Sequence, residues 1–369
     1  MSSASKNPPH GVIAKAIKKG TVVPFLGAGV NFGARPPDAK WDFGAAFLPN
    51  GKELSTYFAQ QANLTSDDPR DIEDLAKVAS YYVDVTGERE TLRDDLRGIF
   101  NRQYTPCSIH TYLAEEAMSY VDGFPAYYEG GTAQDGDLVS RPMRGTPLLI
   151  VTTNYDDLIE KAFQKLNRPY DLVIYPTDRD DLANAVLCWK DRGHEGTNSR
   201  PTESTPNGLS IDFSKTNVIY KMHGSIDRIQ PRLDSFVITE EDYVDFLSRL
   251  ITRGAIPAQI MECFSRRRFL FLGYGLNDWN LRVVLRNLRS VLPAQSQAAP
   301  PGNGDPVADL HPDANAANAK SWAIQYQPSD LETALWRARR VDIYDQDVNV
   351  FAERLRQIAP TLPSAEDSV

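Results

Sequence analysis

Short apolar runs alternate with amphipathic segments along most of this chain, a pattern that predicts alternating strands and helices. The run Thr21–Leu26 is almost entirely apolar, as expected for a strand that is buried on both faces. Further strands are predicted at Pro147–Thr153, Leu172–Tyr175, Val218–Met222, Phe236–Thr239, Arg268–Gly273, Trp322–Gln325 and Val341–Tyr344. Strand–helix alternation of this kind indicates an α/β fold with a mostly parallel sheet and helices on both faces.

Apolar residues that recur every three or four positions predict the helices between these strands. The predicted helical segments are Ile13–Lys18, Glu53–Gln61, Asp71–Phe100, Ser108–Tyr120, Asp156–Leu166, Glu240–Leu247, Asp278–Val291, Ser329–Arg340 and Val348–Ile358. The stretch of about residues 71–144 separates the first strand from the second. It is therefore predicted to form an inserted helical module.

Two segments lack the composition of a packed core. Residues 293–320 are rich in Ala, Pro, Asn and Gly and contain no aromatic residue, so a flexible loop is predicted there. The stretch Gly193–Pro206 is similar but shorter, and it is also predicted to be a loop. We expect one domain over residues 11–292, which residues 321–360 complete with late strands and helices.

Composition and charge narrow the class of protein. With 369 residues, 41% hydrophobic and 24% charged, the chain can form a sizeable globular core. The net charge of −9 argues against direct nucleic-acid binding, and the basic clusters Arg266–Arg268 and Arg337–Arg340 are interpreted as solvated faces or subunit contacts. No apolar run approaches the ~20 residues that span a bilayer. We expect no membrane association and a cytoplasmic location.

The cysteines exclude one common metal site. Cys107, Cys188 and Cys263 lie far apart, and no CxxC motif occurs. A four-cysteine zinc module cannot be built from them, and the histidines are not at ligand spacing. We therefore expect reduced thiols, no metal and no zinc.

The first candidate motif is Gly27-Ala28-Gly29-Val30-Asn31, directly after the first predicted strand. Glycines at this point allow a tight turn and close approach of the backbone to a pyrophosphate, to which the following amides can donate. The third glycine of a standard dinucleotide fingerprint is absent, because Phe32 stands at its position. The motif alone is equally compatible with nucleotide binding and with a plain tight turn.

Polar residues follow two further strands. The sequence Thr153-Asn154-Tyr155-Asp156-Asp157 follows the second, where the Asn154 carboxamide could bind hydroxyls or a water and either acid could cap a helix. His223 follows the strand Val218–Met222. A histidine there is suited to general-base work, although a structural hydrogen-bonding role is the alternative.

A second glycine turn, Gly273-Tyr274-Gly275, follows the strand Arg268–Gly273. With Asn277 and Asp278 beyond it, this turn could hold the other half of a dinucleotide. The alternative is a simple helix entry in which Asp278 is the N-cap.

These motifs, in the order GAGVN, TTNYD, KMHGSID and GYGLND, resemble the sirtuin-like NAD⁺-binding superfamily over about Gly11–Val291. The resemblance implies a Rossmann-like core in which Asn154 lies against the nicotinamide ribose and His223 is the catalytic base. It further implies NAD⁺ binding by Gly27, Ala28, Gly29, Val30, Asn31, Thr153, Asp156, Gly273, Tyr274, Gly275, Asn277 and Asp278.

The segment FVITEEDYVDFL, residues 236–247, is similar to the prokaryotic, zinc-free branch of that superfamily. The zinc module of the protein deacylases is missing, and their aspartate–phenylalanine–arginine element is not clearly present, since Gly44 follows Asp42-Phe43 and Arg35 is a loose substitute. The resemblance therefore implies an NAD⁺ glycohydrolase that releases nicotinamide and ADP-ribose as an effector of bacterial antiphage defence. NAD⁺-dependent deacylation and non-catalytic sensing of NAD⁺ or an ADP-ribose-type nucleotide are the alternatives.

The same resemblance implies restraint of the activity. We expect a homo-oligomer that is activated by a protein partner, for which a HerA-type ATPase, a short Argonaute and a phage-protein sensor are the candidates. The predicted module between the first glycine turn and Asn154 could close over or block the site.

Overall fold

A nine-stranded sheet forms the centre of the fold. The computed structural model describes residues 7–120, 143–176, 178–182, 185–192, 200–251, 256–274 and 320–358. The strands are β1 Val22–Leu26, β2 Ser119–Tyr120, β3 Met143–Arg144, β4 Leu149–Thr152, β5 Tyr170–Ile174, β6 Val186–Trp189, β7 Thr202–Ser204, β8 Asn217–Lys221, β9 Gly224–Ser225, β10 Ser235–Phe236, β11 Arg268–Leu272, β12 Ser321–Gln325 and β13 Val341–Asp345. The sheet order is β13-β12-β11-β1-β4-β8-β5-β6-β7.

The sheet is mostly parallel, as the strand–helix alternation predicts. All pairs from β13 to β5 are parallel, whereas β6 pairs antiparallel with β5, and β7 pairs antiparallel with β6. The prediction of a loop over Gly193–Pro206 is wrong at Thr202–Ser204, because these residues form the edge strand β7. Its side chains are largely exposed, so no apolar alternation marks it, and backbone pairing with β6 alone makes it a strand.

The predicted strand Phe236–Thr239 is also much shorter than expected. Only Ser235–Phe236 pairs, antiparallel with Gly224–Ser225. The next amides bind elsewhere: that of Val237 donates to the His223 carbonyl at 3.0 Å, and that of Ile238 donates to the Asp242 carboxylate at 3.0 Å. These apolar side chains are buried, but their backbone has left the ladder.

Helices cover both faces of the sheet. They are α1 His10–Lys18, α2 Gly51–Gln61, α3 Pro69–Glu73, α4 Leu75–Thr86, α5 Arg89–Phe100, α6 Ser108–Glu116, α7 Leu158–Lys165, α8 Glu240–Ile251, α9 Ala258–Arg266, α10 Asp330–Arg337 and α11 Val348–Ile358, with 3-10 turns at Ala28–Ala34, Asp180–Leu182 and Pro231–Leu233. The predicted helix Ser108–Tyr120 ends early, because Ala117 is extended and Ser119–Tyr120 pairs with Met143–Arg144.

Alternation along β1 divides the core into two layers. Val22 and Leu26 pack in the cluster on one face, and Val23 and Phe25 pack in the cluster on the other. All five residues of β1 are buried, which is why the strand has no polar alternation in the sequence.

A third apolar cluster lies outside the sheet layers. It includes Leu48, Phe58 and Tyr82 and extends through α5 to Tyr104, where it meets Leu158 and Phe236 of the sheet side. By contrast, Ile109 and Leu113 of α6 pack in a sheet layer. The extent of an inserted module, about 71–144, stays a prediction as a domain boundary.

The late strands β12 and β13 extend the same sheet beyond β11. The predicted loop 293–320, apart from its last residue, and the predicted helix Asp278–Val291 lie outside the described residues. Among the helices that the structure describes, none is both long and apolar enough to cross a membrane.

Candidate active site

A cavity of about 430 Å³ opens at the carboxyl ends of β1, β4, β8 and β11, where glycine turns follow β1 and β11 and polar residues follow β4 and β8. In open α/β sheets this crevice is the usual ligand-binding position. The structure brings ten of the predicted site residues to its wall: Gly27, Ala28, Gly29, Asn31, Thr153, Asn154, Asp156, His223, Gly273 and Tyr274.

The remaining predicted residues are placed differently. The side chain of Val30 is buried in a sheet-layer cluster and does not line the cavity. Gly275, Asn277 and Asp278 lie outside the described residues.

The two glycine turns contact each other backbone to backbone. A Cβ atom on Gly27 would lie 2.8 Å from the Gly273 carbonyl oxygen, and one on Gly29 would lie 2.6 Å from the same atom. Gly273 has φ +59°, and a Cβ there would lie 2.3 Å from the Val30 nitrogen. Gly27, Gly29 and Gly273 must be glycines because the two turns approach each other so closely. They leave the floor of the cavity without side chains.

Some amides of the first turn are already used. The Gly29 amide donates to the Gly273 carbonyl at 2.8 Å, and the Val30 amide donates to the Gly27 carbonyl at 3.1 Å. Within the described residues no acceptor is found for the amide of Ala28, the first residue of the 3-10 helix Ala28–Ala34. The turn therefore offers fewer donors to a phosphate than its sequence suggests.

The Asn154 side chain is held in one orientation. Its Nδ2 donates to the Gly27 carbonyl at 3.2 Å, and its backbone amide donates to Thr152 Oγ1 at 3.0 Å. No described group donates to Asn154 Oδ1, although the residue is buried at the cavity wall. That oxygen is consequently able to accept a hydrogen bond from a hydroxyl or a water.

A second buried amide lies beside it. Asn31 Nδ2 donates to Asp156 Oδ2 at 2.9 Å, whereas Asn31 Oδ1 is buried and has no hydrogen-bond partner among the described residues. Asp156 Oδ1 accepts from the amide of Leu158, the first residue of α7, at 3.1 Å, whereas the N-cap residue Asp157 makes no capping bond with its side chain. An unpaired buried acceptor is costly, and a polar ligand that donates to it would remove that cost.

A buried ion pair lies next to the backbone of Asp156. The fully buried Lys221 ammonium donates to Glu160 Oε1 at 2.8 Å and to the Asp156 carbonyl. Burial raises the pKa of the Glu160 carboxyl, and the charge of Lys221 opposes that rise. Lys221, held by Glu160, thus fixes the backbone of Asp156 in the loop after β4.

His223 is packed by aromatic rings. Its imidazole lies edge-on to Tyr243 at 5.7 Å and to Phe246 at 5.1 Å between ring centroids. The residue is 5% exposed, and it lines the cavity. These contacts from α8 limit the ring orientations that can reach a ligand.

Residues that the sequence reasoning missed form the apolar wall. Leu48, Leu54, Leu75 and Phe100 contribute from the third cluster, together with the exposed Phe32. Phe32 directly follows the first glycine turn, whereas the four others lie before or within helices farther along the chain. Only their helical periodicity marks them, and it does not distinguish a cavity wall from a core.

Arg228 joins the cavity loops to α5. Its guanidinium makes two bonds to the Asp157 carboxylate, one of them 2.9 Å long, and it also donates to the carbonyls of Asn101 at 2.5 Å and Arg102 at 2.9 Å. Burial alone would raise the pKa of Asp157, but the bonds and charge of Arg228, with the charge of Lys161, lower it below its ordinary value. One side chain therefore connects the loop after His223, the loop after Asn154 and the end of α5.

No group of three or more His, Cys, Asp or Glu side chains suited to a metal occurs among the described residues. Burial raises the pKa of the Cys107 thiol to about 11, and it lowers the pKa of His110 to about 4. Both groups are therefore neutral near pH 7.

The fold is Rossmann-like, with a cavity at the carboxyl ends of its parallel strands, and the sequence comparisons give its family. The SIR2-like domain family matches residues 148–344, which is more than half of the chain. The chain belongs to this SIR2-like family.

Two curated relatives bear the same name. The NAD(+) hydrolase ThsA of Acinetobacter baumannii is 25% identical over 281 residues, 75% of this chain and 41% of the relative. The NAD(+) hydrolase ThsA of Enterococcus faecium is 28% identical over 143 residues, 38% of this chain and 22% of the relative. The chain thus spans less than half the length of either relative.

A solved structure of a Sir2 mutant with a p53 peptide and NAD is also similar, over 96% of this chain and all of that one. Its sequence identity is 12% and its TM-score is 0.35. The fold assignment rests on the sheet topology and the family match.

Proposed function

We propose that this protein is an NAD⁺ glycohydrolase that cleaves the nicotinamide–ribose bond to give nicotinamide and ADP-ribose. One observation carries the proposal: the free carboxamide oxygen of Asn154 and the imidazole of His223 line one cavity with both glycine turns. The names of the two curated relatives support the same chemistry.

The residues present fit a dinucleotide. Gly27, Gly29 and Gly273 leave a floor that a Cβ would fill, and a pyrophosphate can lie on it near the free Ala28 amide. Asn31 Oδ1 supplies a buried acceptor for a ribose hydroxyl. The apolar wall excludes bulk water from the reacting bond.

Cleavage of the glycosidic bond passes through an oxocarbenium-like state. The carbon–nitrogen bond breaks, nicotinamide leaves with the bonding electron pair, and a water oxygen bonds to the anomeric carbon. Asn154 Oδ1 accepts a hydrogen bond from a ribose hydroxyl or from that water and so orients it. His223 takes the proton from the hydroxyl or the water, and Asp156 holds Asn31 in place.

The test is incubation with NAD⁺ and quantification of nicotinamide and ADP-ribose by chromatography. We expect Asn154→Ala and His223→Ala each to reduce turnover by roughly 10²–10⁴-fold, because each removes a positioned polar group. Asn207→Ala, at an exposed turn, is the matched control and should retain full turnover. Circular dichroism and thermal denaturation establish that the variants fold.

Four results would revise this assignment. Nicotinamide release that requires an acetylated peptide would identify a deacylase, and NAD⁺ binding without any product would identify a sensor. Near-wild-type turnover of His223→Ala would remove the base assignment. Cyclic ADP-ribose among the products would show a second outcome at the same bond.

We further propose that the enzyme acts in the cytoplasm as a homo-oligomeric effector of antiphage defence that a protein partner activates. The zinc-free motif pattern supports the role in defence. The need for activation follows because unrestrained NAD⁺ hydrolysis would deplete the cell's cofactor. A HerA-type ATPase, a short Argonaute and a phage-protein sensor are the partner classes to test. Light scattering and turnover over a dilution series test the assembly, and a monomer with constant specific activity would contradict it.

A further inference from the structure

A second cavity lies at the opposite edge of the sheet from the candidate active site. It has a volume of about 1060 Å³. Its walls are the end of α1, the residues before β1, β4 and β8, and α9 with the first residue of β11. The lengths of β1 and β11 separate the two cavities by roughly 15 Å at the rise of an extended strand.

This cavity is strongly basic in a protein whose net charge is −9. Its lining contains one acidic side chain, Glu262, and five basic ones: Lys15, Lys19, Arg266, Arg267 and Arg268. Glu262 is already paired with Arg266 at 2.7 Å. In the described part of the chain, none of the other four has a carboxylate within ion-pair distance.

Helix-dipole interactions account for some of the basic side chains in this cavity but not for all of them. Lys15, Lys19 and Arg266 lie near the carboxyl ends of α1 and α9, where cations interact favourably with the helix dipole. Arg267 and Arg268 are half-buried beyond the end of α9, and the Arg268 guanidinium lies 5.4 Å from the centre of the Trp322 ring. Like charges that converge on one concave surface repel each other, and a bound anion would reverse that repulsion.

We propose that this cavity binds a small ligand that carries two or more phosphate groups, such as a nucleoside diphosphate or an inorganic polyphosphate. Arginine guanidinium groups bind phosphate oxygens in a forked geometry, and lysines add point charges. Apolar side chains of Val12, Ile211 and Phe213 share the wall and can contact a base or a sugar. The inference does not depend on the proposed NAD⁺ hydrolysis.

Isothermal titration of the full chain with inorganic tripolyphosphate and, separately, with ADP tests the site. We expect binding of at least one probe that weakens as salt is raised. The double variant Lys15→Gln/Arg267→Gln should lower the affinity at least roughly tenfold, because two charge-assisted contacts are lost. Lys165→Gln/Arg337→Gln makes the same change in net charge at exposed helix positions outside the cavity and should stay within about twofold.

The two probes distinguish the sources of phosphate. Tighter binding of ADP would assign the site to a nucleotide, and equal or tighter binding of tripolyphosphate would assign it to phosphate groups alone. If the double variant does not fold, the exposed single variant Lys19→Gln replaces it with a smaller expected loss. The proposal is overturned if neither probe binds below about 1 mM, if the cavity and control variants bind equally, or if only duplex DNA or an acidic peptide shows the variant-dependent binding.

Discussion

Replacement of Gly273 by alanine tests whether the two glycine turns must touch. The new Cβ would lie 2.3 Å from the Val30 nitrogen and 2.5 Å from the Gly29 carbonyl carbon, both backbone atoms that cannot rotate away. The left-handed backbone at φ +59° adds its own cost of roughly 1–2 kcal/mol. The turns would have to separate by about 1 Å, and overpacking of that kind typically costs 1–3 kcal/mol.

Gly87 provides the matched control. It also has a left-handed backbone, with φ +72°, but a Cβ there meets no atom within 4 Å. Gly87→Ala should therefore lower the free energy of unfolding by about 1 kcal/mol, and Gly273→Ala should lower it by about 3 kcal/mol. Denaturant unfolding followed by circular dichroism measures both.

The same change should weaken the proposed activity. The Gly29 amide loses its 2.8 Å bond to the Gly273 carbonyl when the turns separate, and the floor of the cavity moves with them. We expect a higher KM for NAD⁺ in Gly273→Ala and an unchanged one in Gly87→Ala. Equal destabilisation by the two substitutions would refute the reasoning, since only the backbone overlap distinguishes them.

Three further predictions concern Arg228, the Asp157 carboxyl and metal. Arg228→Ala should destabilise the protein by about 2–3 kcal/mol, because it leaves Asp157 largely buried with only Lys161 as a cationic partner. The control substitution Arg232→Ala, at an exposed position, should lower the free energy of unfolding by under about 0.5 kcal/mol. Equal effects of Arg228→Ala and Arg232→Ala in urea unfolding would contradict the stabilising role of the Arg228–Asp157 ion pair. The folded pKa of Asp157 is lowered, so its stabilisation is full above its ordinary pKa of 3.8 and is lost as pH falls through the folded pKa. The free-energy difference between wild type and Asp157→Asn should therefore be constant near neutral pH and shrink below about pH 4, and an unchanged difference there would exclude this role. Chelators should leave the unfolding midpoint unchanged, and stoichiometric zinc in elemental analysis would contradict the prediction of no zinc.

Local sequence pattern predicted seven of the nine strands of the central sheet, all except β6 and β7, and most of the described helices. Runs such as Thr21–Leu26 can be buried only between two layers, and periodicity placed Val348–Ile358 as it is found. The predicted strands also placed the glycine turns, Asn154 and His223 directly after strands. Because parallel strands present their carboxyl ends at one edge of a sheet, these residues were expected to lie close together. Local pattern is sufficient for such features.

The contacts that the candidate site residues make depend on the three-dimensional fold. That Gly29 donates to Gly273, that Asn31 has an unpaired oxygen, and that Lys221 lies under Asp156 depend on contacts between distant segments. The edge strand Thr202–Ser204 forms through backbone pairing that its polar side chains do not encode. The basic cavity likewise joins cations from α1 and α9, which are separated in the chain by most of the sheet. Long-range packing sets these distances, and short-range pattern carries no information about them.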